Sequence, residues 1–215
     1  MSVKSLLLGG GSHARVLLSV LKEAGSGTVD GVVDPDPGVA QILQLPYLGD
    51  DGQLEGLKRA GFCQFLLGLG STQSCGLREK LYLEAVKWGL VPMSLRHPAA
   101  WVSDEVSLGE GSQILTRAVL NGAVKLGDNV LVNTAAVIEH DCRIGDHSHV
   151  ATGAILCGGV QVGRAVHIGA GAVIRQGLSL GDRCVVAAGA VVVKSVPPET
   201  CVMGVPARPS SESLV

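Results

Sequence analysis

Residues 126–150 read LGDNVLVNTAAVIEHDCRIGDHSHV, and in them Leu126, Val132, Ile138, Ile144 and Val150 recur at every sixth position. Extending the same step outward, from Val102 to Val192, meets sixteen positions, and all sixteen are Ile, Leu or Val. Four residues after most of them stands a small residue, as at Ser112, Ala118, Cys142, Ala154, Cys184 and Ala190, with Leu178 the bulkiest exception. A second period lies over the first: Gly109, Gly127, Gly145, Gly163 and Gly181 are eighteen residues apart, so three hexads close one coil. Each flat side is then a short strand pairing with the coils above and below at roughly 4.8 Å. The aliphatic residue points into a narrow core, and the small residue lets the chain turn the corner. Helical or alternating templates fit this stretch far less well. Residues from about 101 to 195 are therefore expected to form a parallel β-helix.

Composition agrees. Glycine takes 30 of 215 positions and aromatics only 3%, so the core must be built from stacked β-branched residues rather than large rings. The net charge of −2 gives no support for nucleic acid or an anionic membrane as the main partner. Apolar runs such as Leu6–Leu8 and Cys184–Ala188 fall far short of the ~20 residues that span a bilayer. No signal-peptide core is visible near Lys4. The six cysteines include no CxxC pair, which fits a reduced, cytoplasmic protein.

Residues 1–96 follow a different rhythm. An apolar run, Ser5–Leu8, leads into Gly9-Gly10-Gly11-Ser12-His13-Ala14 and an amphipathic stretch, Arg15–Ala24. A second strand, Val29–Val33, ends at Asp34-Pro35-Asp36; a third, Phe65–Leu69, ends at Gly70-Ser71; a helix around Leu77–Trp88 and a strand at Leu90–Ser94 follow. Strands alternating with helices argue for a small parallel α/β sheet, a half-Rossmann-like domain. Glycines after a first strand let backbone approach a phosphate at a helix N-terminus, and Asp34 stands where an acidic residue would meet a ribose hydroxyl. The same glycines also suit a tight turn with no ligand. The expected organisation is an α/β nucleotide-sugar-binding domain at 1–96, a β-helix at 97–201, and a C-terminal cap and tail at 202–215. In the last of these, Val202–Arg208 covers the open edge and 209–215 lacks structure.

Four histidines, His140, His147, His149 and His167, interrupt the helix, and none takes an inward position of the hexad. Outward histidines on such a surface are ordinarily solvated, and His147 and His167 are read that way, with a ligand contact beside His149 as the alternative for His167. His140 differs, lying between Glu139 and Asp141 with Asn133 about one hexad earlier. A carboxylate that takes a hydrogen bond from one ring nitrogen orients the imidazole and raises its basicity. His149 lies nine residues on, half a coil away, so the two sit on different sides of the prism. If they share a site, they share it across a subunit interface, and three-fold packing suits a three-sided prism. Cys142 and Cys184 fall at small core positions and are read as packing residues. His97 is read as closing the start of the helix.

The segments GGGSHA, VVDPDP, LGLGS, LRHPAAWVS, VLVNTAAVIEHDCRIGDHSHVATGA, AAGAVVVKSVP and MGVPAR together resemble the NeuD/PglD-like subgroup of the hexapeptide-repeat sugar acyltransferases, nearly end to end. The resemblance implies a left-handed β-helix, a homotrimer with active sites between subunits, acetyl-CoA as co-substrate and no metal. It implies acetylation of the amino group of a nucleotide-linked 4-amino-4,6-dideoxy sugar, of GDP-perosamine or UDP-bacillosamine-precursor type. His140 is then the general base and Asp141 modulates it, with direct attack on the thioester and no acyl-enzyme. His149 would meet the thioester end of acetyl-CoA from the neighbouring subunit, and the CoA arm would pass Ala170 and Ala188. Gly11, Ser12, His13, Asp34, Pro35 and Gly70 match positions that hold the nucleotide sugar. Lys194 and Arg208 are open between CoA phosphate contacts and plain surface charge. The alternative on the same scaffold is O-acetylation of a sugar hydroxyl or a sialic acid. A zinc hydratase on a β-helix would need three converging histidines, and the spacings of seven, two and eighteen lack its usual pair. A non-catalytic solenoid would show a repeated ligand row such as a threonine ladder, and none is present.

Overall fold

The computed structural model describes residues 3–210. The N-terminal part is a parallel sheet with helices on both faces. Its elements are β1 (Lys4–Leu8), α1 (Ser12–Ala24), β2 (Gly31–Val33), α2 (Gly38–Leu43), α3 (Leu54–Arg59), β3 (Phe62–Leu67), α4 (Gly76–Lys87) and β4 (Val91–Pro92). The short helices α2 and α3 occupy stretches in which the sequence shows no clear period. The strand order is β2-β1-β3-β4, parallel throughout. The order reverses between β1 and β3, so the loops after these two strands run to opposite faces and leave a crevice at their C-terminal ends. The glycine turn Gly9–Gly11 and the loop Gly68–Ser71 border that crevice.

One face of the sheet is covered by α1, whose buried side is Ala14, Leu17, Val20 and Leu21. These pack in one cluster with Leu95, Leu115 and Leu131 of the β-helix, so α1 is the layer between sheet and helix. The other face carries Leu54, Tyr82 and Ala85 against Phe65 and Leu67. Among the described residues no helix is long and apolar enough to cross a membrane.

The β-helix begins at Leu95–Arg96, and its short strands stack into three sheets. Outward residues on the first face are Leu95, Gln113, Leu131, His149, His167 and Val185; on the second, Trp101, Val119, Val137, Ile155, Val173 and Val191; on the third, Lys125, Arg143, Gln161 and Ser179. Each rung donates one coil onward: Gln113 N to Val130 O, Leu131 N to Ser148 O, His149 N to Val166 O. The inward Ile, Leu and Val residues form one continuous core, which includes Cys142 and Cys184 as packing residues. The corners carry a feature that the sequence hides. Every sixth residue from Gly111 to Gly189 has positive φ, whether it is Gly, Asn129, Asp141, His147, Ala135 or Arg117. The stacked backbone imposes a left-handed corner that most side chains avoid when free.

The rung Cys201–Met203 continues the first face, and Arg208–Pro209 folds back antiparallel on it. That pairing covers the last open edge. It also corrects the expectation that structure ends at 208: Pro209 pairs with Val202, and Ser210 N donates to Cys201 O. The remainder of that expectation, 211–215, lies outside the described residues.

The eighteen-residue glycines have a packing cause. A Cβ on Gly145 would stand 2.6 Å from the Gly163 carbonyl carbon and oxygen one coil away. Gly145→Ala should therefore force two coils apart and cost about 1–3 kcal/mol in urea denaturation. Gly56→Ala in α3, where nothing lies within 4 Å, should be neutral or stabilising.

Candidate active site

The four β-helix histidines separate into two environments. His140 stands at the corner between the second and third faces, after Val137–Ile138 and before Arg143–Ile144. Its side chain is 59% exposed. Nδ1 lies 2.8 Å from Asp141 Oδ2, and Asp141 occupies the left-handed corner position at φ 62°, which aims its carboxylate back at the preceding ring. The carboxylate accepts from Nδ1–H, so Nε2 carries the free lone pair. One coil on, the imidazole lies against Gly158: a Cβ there would sit 2.6 Å from both Cε1 and Nε2. Gly158 is thus the floor on which the ring rests, and adding eighteen to 140 would have found it. Glu139 takes another partner, Asn121 Nδ2 at 2.9 Å.

His147, His149 and His167 are 2%, 4% and 5% exposed. This overturns the reading of His147 and His167 as solvated surface residues. The first face is roofed by the N-terminal part of the same chain, and the α4 region and the Ser71 loop bury what the hexad pattern turns outward. His147 packs edge-on against Tyr82 with ring centroids 5.3 Å apart. His149 and His167 stack edge-on at 5.1 Å beneath Ser71. Asn133, whose place in sequence suggested His140 as its neighbour, instead serves His149.

The hydrogen bonds around His149 determine its protons. Asn133 Oδ1 accepts from Thr134 N at 2.7 Å, so the amide Nδ2 faces His149 Nε2 at 3.2 Å and donates to it. Nδ1 must then carry the hydrogen, and it meets the Ser71 carbonyl, which only accepts, at 3.1 Å and Ser71 Oγ at 2.7 Å. The Ser71 hydroxyl is left to donate to His167 Nδ1 at 3.1 Å, which puts the His167 proton on Nε2. Both rings are neutral. Burial holds His149 well below the usual histidine range, helped by His167, Arg78 and His13, and burial pulls His167 down to about 4. Neither ring is a base near neutral pH; they present fixed donors and acceptors.

Beside them a groove of about 430 Å³ is lined by Ser71, Thr72, Gln73, Asn133, His149, His167 and the corner residues Ala151, Thr152, Gly169, Ala170, Ala187 and Ala188. The structure therefore brings His149, Ala170 and Ala188 together, and it places His140 and Asp141 outside that groove. The small side chains at successive corners leave a channel that fits a narrow flexible chain. Ser71, Thr72, Gln73 and Asn133 are groove residues that the sequence pattern did not reveal.

The glycine turn and the Asp34 segment meet at the sheet crevice. Asp34 Oδ2 accepts from Gly10 N at 2.7 Å and Oδ1 from Asp36 N at 2.9 Å, so this carboxylate ties the two turns together. A cavity of about 250 Å³ is lined by Gly9, Val33, Asp34, Pro35, Asp51 and Leu69, with apolar walls from Leu8, Leu77 and Leu81. His13 and Gly70 border the crevice on the side of the β-helix: Gly70 faces the His13 side chain, with room for a Cβ at 3.7 Å. Gln113 Nε2 donates to Leu67 O at 2.8 Å, which turns Oε1 toward His13 Nε2 at 3.2 Å, the donor of that pair. Burial, then Arg78, pull His13 down to about 4. Gly11 and Ser12 lie at the start of α1, outside the lining of this cavity.

Two ties hold the N-terminal part against the helix. Glu79 receives Arg164 Nη2 at 2.6 Å and Arg183 Nη1 at 2.9 Å; burial would raise its carboxyl, and these bonds bring it below the usual range. His97 bonds Glu23 Oε2 at 2.9 Å and accepts from Ala99 N, joining the end of α1 to the first coil. Cys142 and Cys184 are pushed up by burial to about 11 and about 12, which makes them inert packing groups rather than nucleophiles.

The bacterial transferase hexapeptide (six repeats) family matches residues 159–194, and the hexapeptide repeat of succinyl-transferase matches 135–176. Among solved structures, PerB from Caulobacter crescentus, in complex with CoA and GDP-perosamine, is similar at TM-score 0.90 and 36% identity, over 97% of each chain. The acetyltransferase domain of PglB from Neisseria gonorrhoeae is similar at TM-score 0.84 and 30% identity, over 97% of this chain and 100% of that one. WeeI from Acinetobacter baumannii follows at TM-score 0.82 and 25% identity, over 97% and 100%. No curated protein sequence matches the chain.

The neutral histidines make a pH prediction. His13 and His167 titrate near 4 when folded and near 6.5 when unfolded, so between these values the unfolded chain binds more protons. Their stabilising effect is complete above about pH 6.5 and is lost as pH falls toward 4. Urea midpoints measured from pH 7.5 to 4.5 should fall by an amount worth several kcal/mol, on the order of 3 per group. A flat profile would contradict the neutral network.

Proposed function

The chain belongs to the hexapeptide-repeat sugar acyltransferases, and from that premise we propose that it acetylates the amino group of a nucleotide-linked 4-amino-4,6-dideoxy sugar, using acetyl-CoA. The observation that carries the reading is His140. It alone of the four β-helix histidines is exposed, with Nδ1 engaged by Asp141 and Nε2 open above Gly158. The sheet crevice supplies a place for a nucleotide, and PerB, similar over nearly its whole length, was solved with GDP-perosamine. The GDP-linked sugar is therefore the first acceptor to test, with the UDP-linked bacillosamine precursor type second.

In this mechanism the Asp141 carboxylate holds Nδ1–H and stabilises the imidazolium that forms, while His140 Nε2 accepts the proton shed by the acceptor amine as its nitrogen bonds to the acetyl carbon. The C–S bond breaks, CoA leaves as thiolate, and the imidazolium returns the proton to it or to solvent. Attack is direct. Acetyl-CoA fits the groove of small corner residues: Ala170 and Ala188 would flank its arm, and His149, neutral and fixed, would meet the thioester end. Backbone N–H groups at the corners are suited to the developing oxyanion. Gly11, Ser12, His13, Asp34, Pro35 and Gly70 would hold the nucleotide sugar.

A homotrimer is part of the proposal. The outward residues of the second face are apolar in every coil, and Trp101 at its start is 62% exposed. His140 and the groove lie on different sides of the same prism, so a site using both takes His140 from one copy and the groove from the next. The free cysteines suit the cytoplasm, where we place the reaction.

The test is thiol release from acetyl-CoA against a panel of GDP-, UDP- and dTDP-linked 4-amino sugars. Turnover of one member is expected; silence across the panel, from folded protein that binds CoA, overturns the amine acceptor in favour of a hydroxyl. His140→Ala should lower kcat about a hundredfold or more with little change in KM. Gly158→Ala should lower kcat too, by tilting the ring, with an unchanged melting temperature.

A further inference from the structure

α4 carries a cation that the acyl-transfer chemistry does not use. Arg78 is 1% exposed, and of its guanidinium only Nη1 has a partner, the Leu69 carbonyl; Nε and Nη2 are buried with none. No carboxylate among the described residues pairs with it. Its neighbour Glu79 is engaged by Arg164 and Arg183, and the titratable groups acting on it are Cys75 and Tyr82, both uncharged near neutral pH. The histidines that feel its field, His13, His147 and His149, are neutral as well. Burial pulls Arg78 down only to about 10, so it remains charged. An unpaired buried charge with orphan donors destabilises a fold, and an apolar side chain of similar size is usually the more stable choice.

The position of the charge indicates what it answers. Leu69, which Nη1 grips, lines the crevice cavity with Gly9 and Asp34. His13, whose ring the guanidinium depresses, stands in the first turn of α1. That turn has no side-chain cap and no acidic residue, with Gly11 as its N-cap. Asp34 takes the Gly10 N–H of this turn; the N–H groups that follow it at the start of α1, and the unpaired cation that grips Leu69, are the positive groups left for a further anion.

We propose that Arg78 is the buried countercharge of the nucleotide-sugar site, holding the diphosphate at the start of α1 through its field and through the Leu69 loop. This rests on the nucleotide-sugar reading above, and it makes Arg78 a positioning residue, since the enclosed guanidinium does not reach solvent. The arginine is kept at a cost in stability for the affinity it gives to an anion.

The experiment is calorimetric titration of wild type, Arg78→Met and Arg78→Lys with GDP, UDP, inorganic pyrophosphate and the matching nucleosides, alongside melting temperatures. Arg78→Met should bind the diphosphates at least tenfold more weakly, bind nucleosides as wild type does, and melt at the same temperature or higher. Arg78→Lys should keep most of the diphosphate affinity. In turnover, KM for the sugar nucleotide should rise in Arg78→Met while KM for acetyl-CoA stays put. Equal loss for nucleosides and diphosphates with a lowered melting temperature would make Arg78 structural and overturn the proposal, as would unchanged diphosphate binding. Arg78-dependent pyrophosphate binding in a protein that turns over no sugar nucleotide would uphold the countercharge and defeat the substrate reading instead.

Discussion

Because the backbone N–H groups of the β-helix rungs reach carbonyls one coil onward, and those at the left-handed corners reach one coil back, every residue stands directly over the one eighteen positions away, and that register decides where all the chemistry sits. His149 lies under His167, His140 against Gly158, and Gly145 against Gly163. The register tolerates little error, since neighbouring coils leave no room for a Cβ at the glycines that recur every eighteen residues. It also imposes left-handed backbone on residues that would not choose it, Arg117 and Ala135 among them. Many parallel bonds, none strong alone, hold those corners against their local preference. The Asp141 carboxylate is one beneficiary, because the corner conformation turns it onto the imidazole it orients.

A three-sided prism gives three separate surfaces, and this chain uses each differently. The third face is polar. The second is an apolar stripe that remains open in the single chain. The first is roofed by the sheet and helices of the N-terminal part, mostly apolar at its base, where Leu95, Leu115 and Leu131 flank a single Gln113, and polar in the next two coils, where His149 and His167 take over. This change from apolar to polar along one face lets a rigid docking surface become the wall of a groove. Ser71 marks the junction: its loop follows β3 at the crevice, and its hydroxyl sits between two imidazoles at the groove.

The fold was legible because its signals are local and repeated. An aliphatic residue at every sixth position and a glycine at every eighteenth leave one architecture, and the glycine turn after an apolar run marks β1 and α1. What the repeat could not tell was which outward residues stay outward. Period assigns a side chain to the inside or outside of the prism, but burial on the outside depends on what packs there, and the roof over His147, His149 and His167 comes from residues more than sixty positions earlier. Asn133 was similarly misplaced in sequence, for adjacency along the chain pointed to His140 while the corner geometry delivered it to His149. The Arg78 charge was invisible for the same reason: on a helical pattern, an arginine among Glu79 and Lys80 reads as an ordinary solvated face.

Environment, then, divides identical side chains into different chemical tools. A carboxylate in water beside an exposed imidazole leaves one nitrogen oriented and the other free to take a proton, which is what His140 has. Burial without a carboxylate does the opposite to His149 and His167, removing them from titration and converting them into fixed hydrogen-bonding groups. If the buried pair could charge, it would repel the fixed cation Arg78 and loosen the roof, so neutrality there is a condition of the fold as well as of the site. In the mechanism we propose, the same logic places the base on the open corner rather than in the groove. A proton acceptor must keep access to solvent or substrate, whereas the groups that define the groove must not change charge as the reaction proceeds.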